Sequence, residues 1–210
     1  MATPSSPPRE RRRLPLAMRK GQLELTDLSG SEFMSLVSQQ ARSEESGSIS
    51  SQYERELCRG DTHVGALGVR ACDAVVGAIS YGKLALPRHP GKVSLRIDVV
   101  VTRRHCRKMG IGALLIAALI NKFAKELGPN LHHVSVMAVH PAMIQVFSKL
   151  NFERAAPNVP LYSRLLNERE LLDMQRQTDG IVNLKLRDLK ALCVPCRRFE
   201  RHAPWCAAEG

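Results

Sequence analysis

The sequence predicts an α+β domain: one central, mostly antiparallel sheet flanked by helices. Three observations carry that expectation. Apolar and polar residues alternate through three consecutive segments, then take helical spacing, then return to alternation. The segments are separated by turn formers at Asp73 and Pro87–Gly91. No apolar run reaches the roughly 18 residues of a membrane helix, and the longest, Ile111 to Ile120, reads as a buried helix face.

Taken in order, Leu23 and Leu25 alternate with polar neighbours and predict a first strand. Phe33, Leu36 and Val37 have helical spacing, and Ser43–Ser51 reads as a connection. Three strands follow at His63–Val69, Ala74–Tyr81 and Lys92–Thr102, the signal of an antiparallel meander. From Gly112 to Leu127 the residues Leu115, Ala118, Leu119 and Phe123 share one helical face, opposite Lys122, Lys125 and Glu126. Gly128–Pro129–Asn130 stops that helix. Leu131–Val139 predicts a strand, Pro141–Leu150 a helix and Val159–Leu165 a last strand. The domain is expected over residues 21–165, between a disordered tail (1–20) and an extension (166–210).

Composition sets the outer limits. The chain has 210 residues, 44% hydrophobic but only 4% aromatic, so its core must rest on Val, Leu, Ile and Ala. Its formal charge of +11 is unevenly spread: residues 1–20 hold six basic residues and one acid. Such a balance favours anionic partners without choosing among phosphates, nucleic acid and membrane surface. The Arg9–Arg13 run reads as a solvated tail, with a nuclear or organellar address as the functional alternative. Six scattered or clustered cysteines predict no disulfide framework, and a cytoplasmic, reducing setting is expected.

The chemistry concentrates where the third meander strand meets the long helix, from Val99 to Gly112. An apolar strand enters a basic turn (Arg103, Arg104, Arg107, Lys108), and the turn enters Gly110-Ile111-Gly112 at a helix start. Glycines let a backbone approach a ligand closely, and the first amides of a helix have no intrahelical acceptor. With the helix dipole behind them, such amides suit a pyrophosphate. The absent third glycine and the preceding meander argue against a dinucleotide-binding fold.

Arg107-x-x-Gly110-x-Gly112 resembles the acetyl-CoA-binding signature of the GNAT N-acetyltransferases. The segment His140 to Phe152, ending Phe147-Ser148-Lys149-Leu150-Asn151-Phe152, is similar to that family's closing segment. The resemblance implies acetyl-CoA as cosubstrate and direct acetyl transfer to an amine, with no membrane partner. It assigns the pantetheine arm to the backbone of Val100, Val101 and Thr102, and the pyrophosphate to Arg107, Lys108, Met109, Gly110, Ile111 and Gly112. It also implies that the strand Val134–Val139 splays from its neighbour, leaving a gap for the thioester, and that an amide near Val100 or Val101 polarises the thioester oxygen.

Two positions depart from the family pattern. Phe147 stands where a tyrosine commonly serves as general acid, and His140 stands where many members carry asparagine at the helix start. Tyr162 is a distant substitute acid. An amine nucleophile must lose a proton, so a base is expected. Asp98, alone in an apolar strand beside the cofactor turn, is the first candidate; it could equally anchor an ammonium or face solvent. His140 and His105 are the alternatives.

The extension predicts helices over Glu168–Gln177 and Ile181–Leu192, broken at Thr178-Asp179-Gly180. Cys193-x-x-Cys196, His202 and Cys206 have the residue types of a small zinc site and loosely resemble a zinc knuckle, although the metal-free reading of tail cysteines is preferred. The competing functional class is therefore an inactive, basic GNAT-like protein that binds nucleic acid or acyl-CoA.

Overall fold

The computed structural model describes residues 23–41, 58–60, 63–71, 74–107, 109–137 and 141–199. Seven strands form one sheet in the order β1-β2-β3-β4-β5-β7-β6. They are β1 Leu23–Leu28, β2 Val64–Ala71, β3 Ala74–Ala85, β4 Val93–Thr102, β5 Leu131–Met137, β6 Glu153–Ala156 and β7 Val159–Leu165. The helices are α1 Gly30–Ala41, α2 Ile111–Leu127, α3 Pro141–Lys149 and α4 Glu168–Phe199. All neighbours run antiparallel except β4 and β5, which are parallel and joined by the α2 crossover. The α+β expectation and the mostly antiparallel sheet hold.

Local chemistry explains the element starts. α1 opens on a capping box: the Ser29 amide donates to Glu32 Oε2 at 2.9 Å, and the Glu32 amide donates to Ser29 Oγ at 3.3 Å. The Ser29 amide, with Arg70 as a further partner, holds the Glu32 carboxyl below its usual range. α4 opens the same way through Asn167 and Glu170, at 3.0 and 2.9 Å.

Two apolar layers enclose the sheet. α1 seals the smaller one with Phe33 and Leu36 against Ala66, Ala78, Val99 and Val101. The larger layer forms on the other face, around α2. Leu114, Leu115, Ile116, Ala117, Leu119, Ile120 and Ala124 are all wholly buried. A helix apolar on every side must be covered on every side. The sheet supplies one cover, and α4 supplies another through Leu171, Met174 and Val182, which join the same core. Tyr81 packs edge-on against Phe123 at 4.8 Å, and burial, then Asp27 and Glu126, raise its phenol's pKa.

Two sequence expectations change. Thr178-Asp179-Gly180 does not break a helix; α4 runs through it. Thr178 Oγ1 donates back to the Met174 carbonyl at 2.8 Å, and Asp179 meets Asn121 and Lys125 of α2. Tertiary contacts with α2 outweigh the poor helix propensity of the triplet. The short strand β6 was not expected; it pairs with β7 as a closing hairpin.

If α4 completes the core, Met174→Ala should cost about 2–5 kcal/mol by the usual penalty for truncating a buried side chain. Chemical denaturation would read this as a lower midpoint at unchanged slope. A midpoint within error of the parent would mean that α4 is not integral to the fold.

Candidate active site

The site begins with a miscount between strands. In the β3–β4 ladder Ser80 opposes Val99 and Tyr81 opposes Ile97, so Asp98 is the extra residue of a β-bulge. The bulge changes which face β4 presents. Before it, Leu95 and Ile97 face the α2 layer; after it, Val100 does, while Val99 and Val101 join the α1 layer. The β4–β5 ladder among the described residues ends at the same point, with Ile97 opposite Val136. Asp98 to Thr102 continue β4 past that point, and residues 138–140, which follow β5, lie outside the described residues.

Beside this stretch of β4 stand Gly112 and Met143. A Cβ on Gly112 would lie 3.6 Å from Met143 Sδ and 3.7 Å from Val100 Cγ1, which is ordinary contact. β4, the start of α2 and α3 therefore converge there.

The turn between β4 and α2 is anchored from both sides. The Arg103 amide donates to the Val76 carbonyl at 2.9 Å, and its Nε donates to the Val75 carbonyl at 2.7 Å. Arg104–Cys106 make one 3-10 turn, and Cys106 and Met109 pack on the main core. Arg107 Nε donates to the Thr102 carbonyl at 3.5 Å. Gly110 adopts φ 83° and ψ 7°, the left-handed region that side chains other than glycine's resist. From that position its carbonyl accepts the Leu114 amide at 3.0 Å, the first bond of α2. The amides of Ile111, Gly112 and Ala113 precede that bond, at the positive end of a 17-residue helix.

Asp98 is not isolated. Arg96 Nε donates to its Oδ1 at 2.5 Å, and the carboxylate side chain is 17% exposed. Ser94, also on β4, shares a hydrogen bond of 2.9 Å with His133 Nδ1. Burial, then the neighbouring His132, hold His133 below the ordinary histidine value. Phe147 is wholly buried and packs edge-on against Phe152 at 5.1 Å. Tyr162 lies on β7 opposite Val136, partly buried on the α2 face. His105 lies in the 3-10 turn, and Lys108 and His140 lie outside the described residues.

Cys193 and Cys196 fall in the last turns of α4, one helical turn apart. His202 and Cys206 lie outside the described residues, and no group of three potential metal ligands occurs among those described. The basic tail, 1–20, is also outside them. No described helix is long and apolar enough to cross a membrane.

The model of the acetyltransferase (GNAT) family matches residues 30–152, more than half the chain. The chain belongs to the GNAT acetyltransferase family. No curated protein sequence matches it. Among solved structures, Arabidopsis thaliana NAA60 in complex with a bisubstrate analogue is similar at a TM-score of 0.55 and 13% identity, over 70% of this chain and 100% of that one. The same protein with acetyl-CoA gives 0.54 and 13%, over 70% and 99%. The AtaT toxin mutant bound to the C-terminus of its antitoxin AtaR gives 0.51 and 15%, over 72% and 95%. At these identities the likeness is one of fold, and it agrees with the seven-stranded GNAT sheet.

Sequence reading placed the loop and the bulge carboxylate but missed Arg96, the partner of that carboxylate. The available signal was Arg96-x-Asp98, two opposite charges on one strand face.

The turn predicts its own test. Acetyl-CoA should raise the melting temperature by mass action. Gly110→Leu, forced into the left-handed region, should abolish that shift while retaining a cooperative melt. An undiminished shift would remove the turn from the binding site.

Proposed function

We propose that the protein is an N-acetyltransferase that moves the acetyl group of acetyl-CoA onto a primary amine by direct attack. One observation carries the reading: a bulged strand leads through a short basic turn into a helix start whose leading amides have no intrahelical acceptor. The first feature suits an extended amide-bearing arm and the second suits a pyrophosphate.

Arg107, Lys108 and the backbone of Met109 to Gly112 would hold the diphosphate. The edge of Val100, Val101 and Thr102 would align the pantetheine arm by backbone hydrogen bonds. Bound acetyl-CoA supplies an activated acyl thioester: the amine nitrogen bonds to the acetyl carbon, the C–S bond breaks, and the sulfur leaves as thiolate. The amide of Val100 or Val101 donates to the thioester oxygen as charge gathers there. Asp98, beside Arg96, draws the acceptor's ammonium and takes its proton, and the second N–H proton passes to solvent as the tetrahedral adduct collapses; His140, the residue before α3, is the alternative base. Phe147 has no proton to give, so Tyr162 or solvent returns one to the thiolate.

Phe147 favours a second reading, a GNAT domain that binds acetyl-CoA without turning it over. Free-thiol release across a panel of amines separates the two. Under the first reading Asp98→Asn lowers turnover at neutral pH by about 10²–10⁴-fold with little change in acetyl-CoA affinity. The defect shrinks as pH rises, because free amine becomes abundant without a base. A wild-type rate and pH profile in Asp98→Asn would exclude it as the base.

A further inference from the structure

The face of the sheet that carries Asp98 also carries a row of side chains set by strand register. Gly82 of β3 opposes Arg96 of β4, Arg96 opposes Ser135 of β5, and Ser135 opposes Ser163 of β7. Three of the four are small. The fourth, Arg96, is 41% exposed.

Arg96 is placed with some care. A Cβ on Gly82 would lie 3.4 Å from its Nη2, 3.7 Å from Cζ and 3.8 Å from Nε. The guanidinium thus lies over Gly82, at ordinary contact distance from where a β-carbon would stand. Its Nε is committed to Asp98 at 2.5 Å. A guanidinium has five N–H donors in a planar fork. Among the described residues this one uses a single donor, so the Nη edge still presents donors, above a floor of glycine and serine hydroxyls.

We propose that Arg96 reads the acceptor, binding an oxygen carried on the carbon next to the amine-bearing carbon, so that the acceptor is an α-amino acid or the amino end of a peptide. This rests on the acetyltransferase reading and narrows its substrate. Opposite charges in hydrogen-bond contact make a paired socket. An ammonium directed at Asp98 leaves the neighbouring guanidinium within reach only of an acceptor atom close to that ammonium. A carboxylate or peptide carbonyl on the α-carbon meets the condition. A polyamine brings no such oxygen, and a lysine side-chain amine holds its carbonyl at the far end of a four-carbon stem. Both the free carboxylate and the peptide carbonyl offer the same oxygen to the fork, with the carboxylate adding charge and a bidentate fit.

The test compares alanine, alanyl-alanine and isopropylamine, which share an amine on a branched carbon and differ in the oxygen beside it. Two readouts are taken on full-length protein: kcat/KM with acetyl-CoA, and equilibrium binding of each amine to the CoA-loaded protein. Wild type should favour alanine or alanyl-alanine over isopropylamine by about 10²-fold or more, because a site built to pair with an oxygen leaves donors unmet without it. Preference for alanine identifies the carboxylate as the recognised group, and equal preference identifies the carbonyl.

In Arg96→Gln that ratio should collapse towards one, and Arg96→Lys should restore part of it, since lysine keeps the charge but loses the fork. Thermal melts of both variants establish that each is folded. Equal binding of all three amines by wild type, or a ratio unchanged in folded Arg96→Gln, overturns the inference even if acetyl transfer proceeds. A binding preference that depends on Arg96 without any thiol release supports the inference and sinks only the catalytic reading.

Discussion

The bulge at Asp98 is the constraint from which the site follows. A strand has a period of two, so one inserted residue exchanges its faces. Leu95 and Ile97 belong to the α2 layer, and Val100 rejoins it only after the extra residue is absorbed. The same insertion sets Asp98 at the point where the β4–β5 pairing among the described residues has reached Ile97 and Val136. A single extra residue thus brings Val100 to the α2 side, beside Gly112 and Met143, and leaves a carboxylate at the step.

The start of α2 is held by the core on both sides. Its residues are buried on the sheet side by β2, β3 and β4 and on the outer side by α4. Close-packed interiors yield little to displacement, so the start of α2 is held where the core places it. Gly110 then converts that rigidity into geometry: its left-handed backbone turns the chain from the basic loop into the helix within one residue. Cys106 and Met109 pack on the same core, on either side of the turn's end. Donors held this way would need little ordering by a ligand.

Much of this was legible before any coordinates. Period changes in the apolar pattern located the meander, the long helix and the later strand, because burial of one face imposes a period on the residues. The Gly110–Gly112 pair marked the turn that leads from β4 into α2. The bulge was less accessible: an inserted residue leaves only a shift of apolar parity, and the run Ile97-Asp98-Val99-Val100-Val101 has apolar residues in both phases. The continuity of α4 through Thr178-Asp179-Gly180 was hidden for another reason. Each residue of that triplet is locally a poor helix former, and only the α2 partners Asn121 and Lys125 reveal why the helix persists. β6 is four residues long and largely exposed, so no buried face wrote a period into it.

The Arg96–Asp98 pair shows how one strand can carry both halves of a recognition surface, because residues two apart on a strand share a face. In the proposed reading, an acceptor with an oxygen beside its amine would meet the guanidinium and the carboxylate together. An amine without that oxygen would leave the Nη donors of Arg96 unmet, and buried or half-buried donors left unmet cost binding. Selectivity would then arise within one residue pair on β4, set by the bulge that places Asp98, with no separate pocket required.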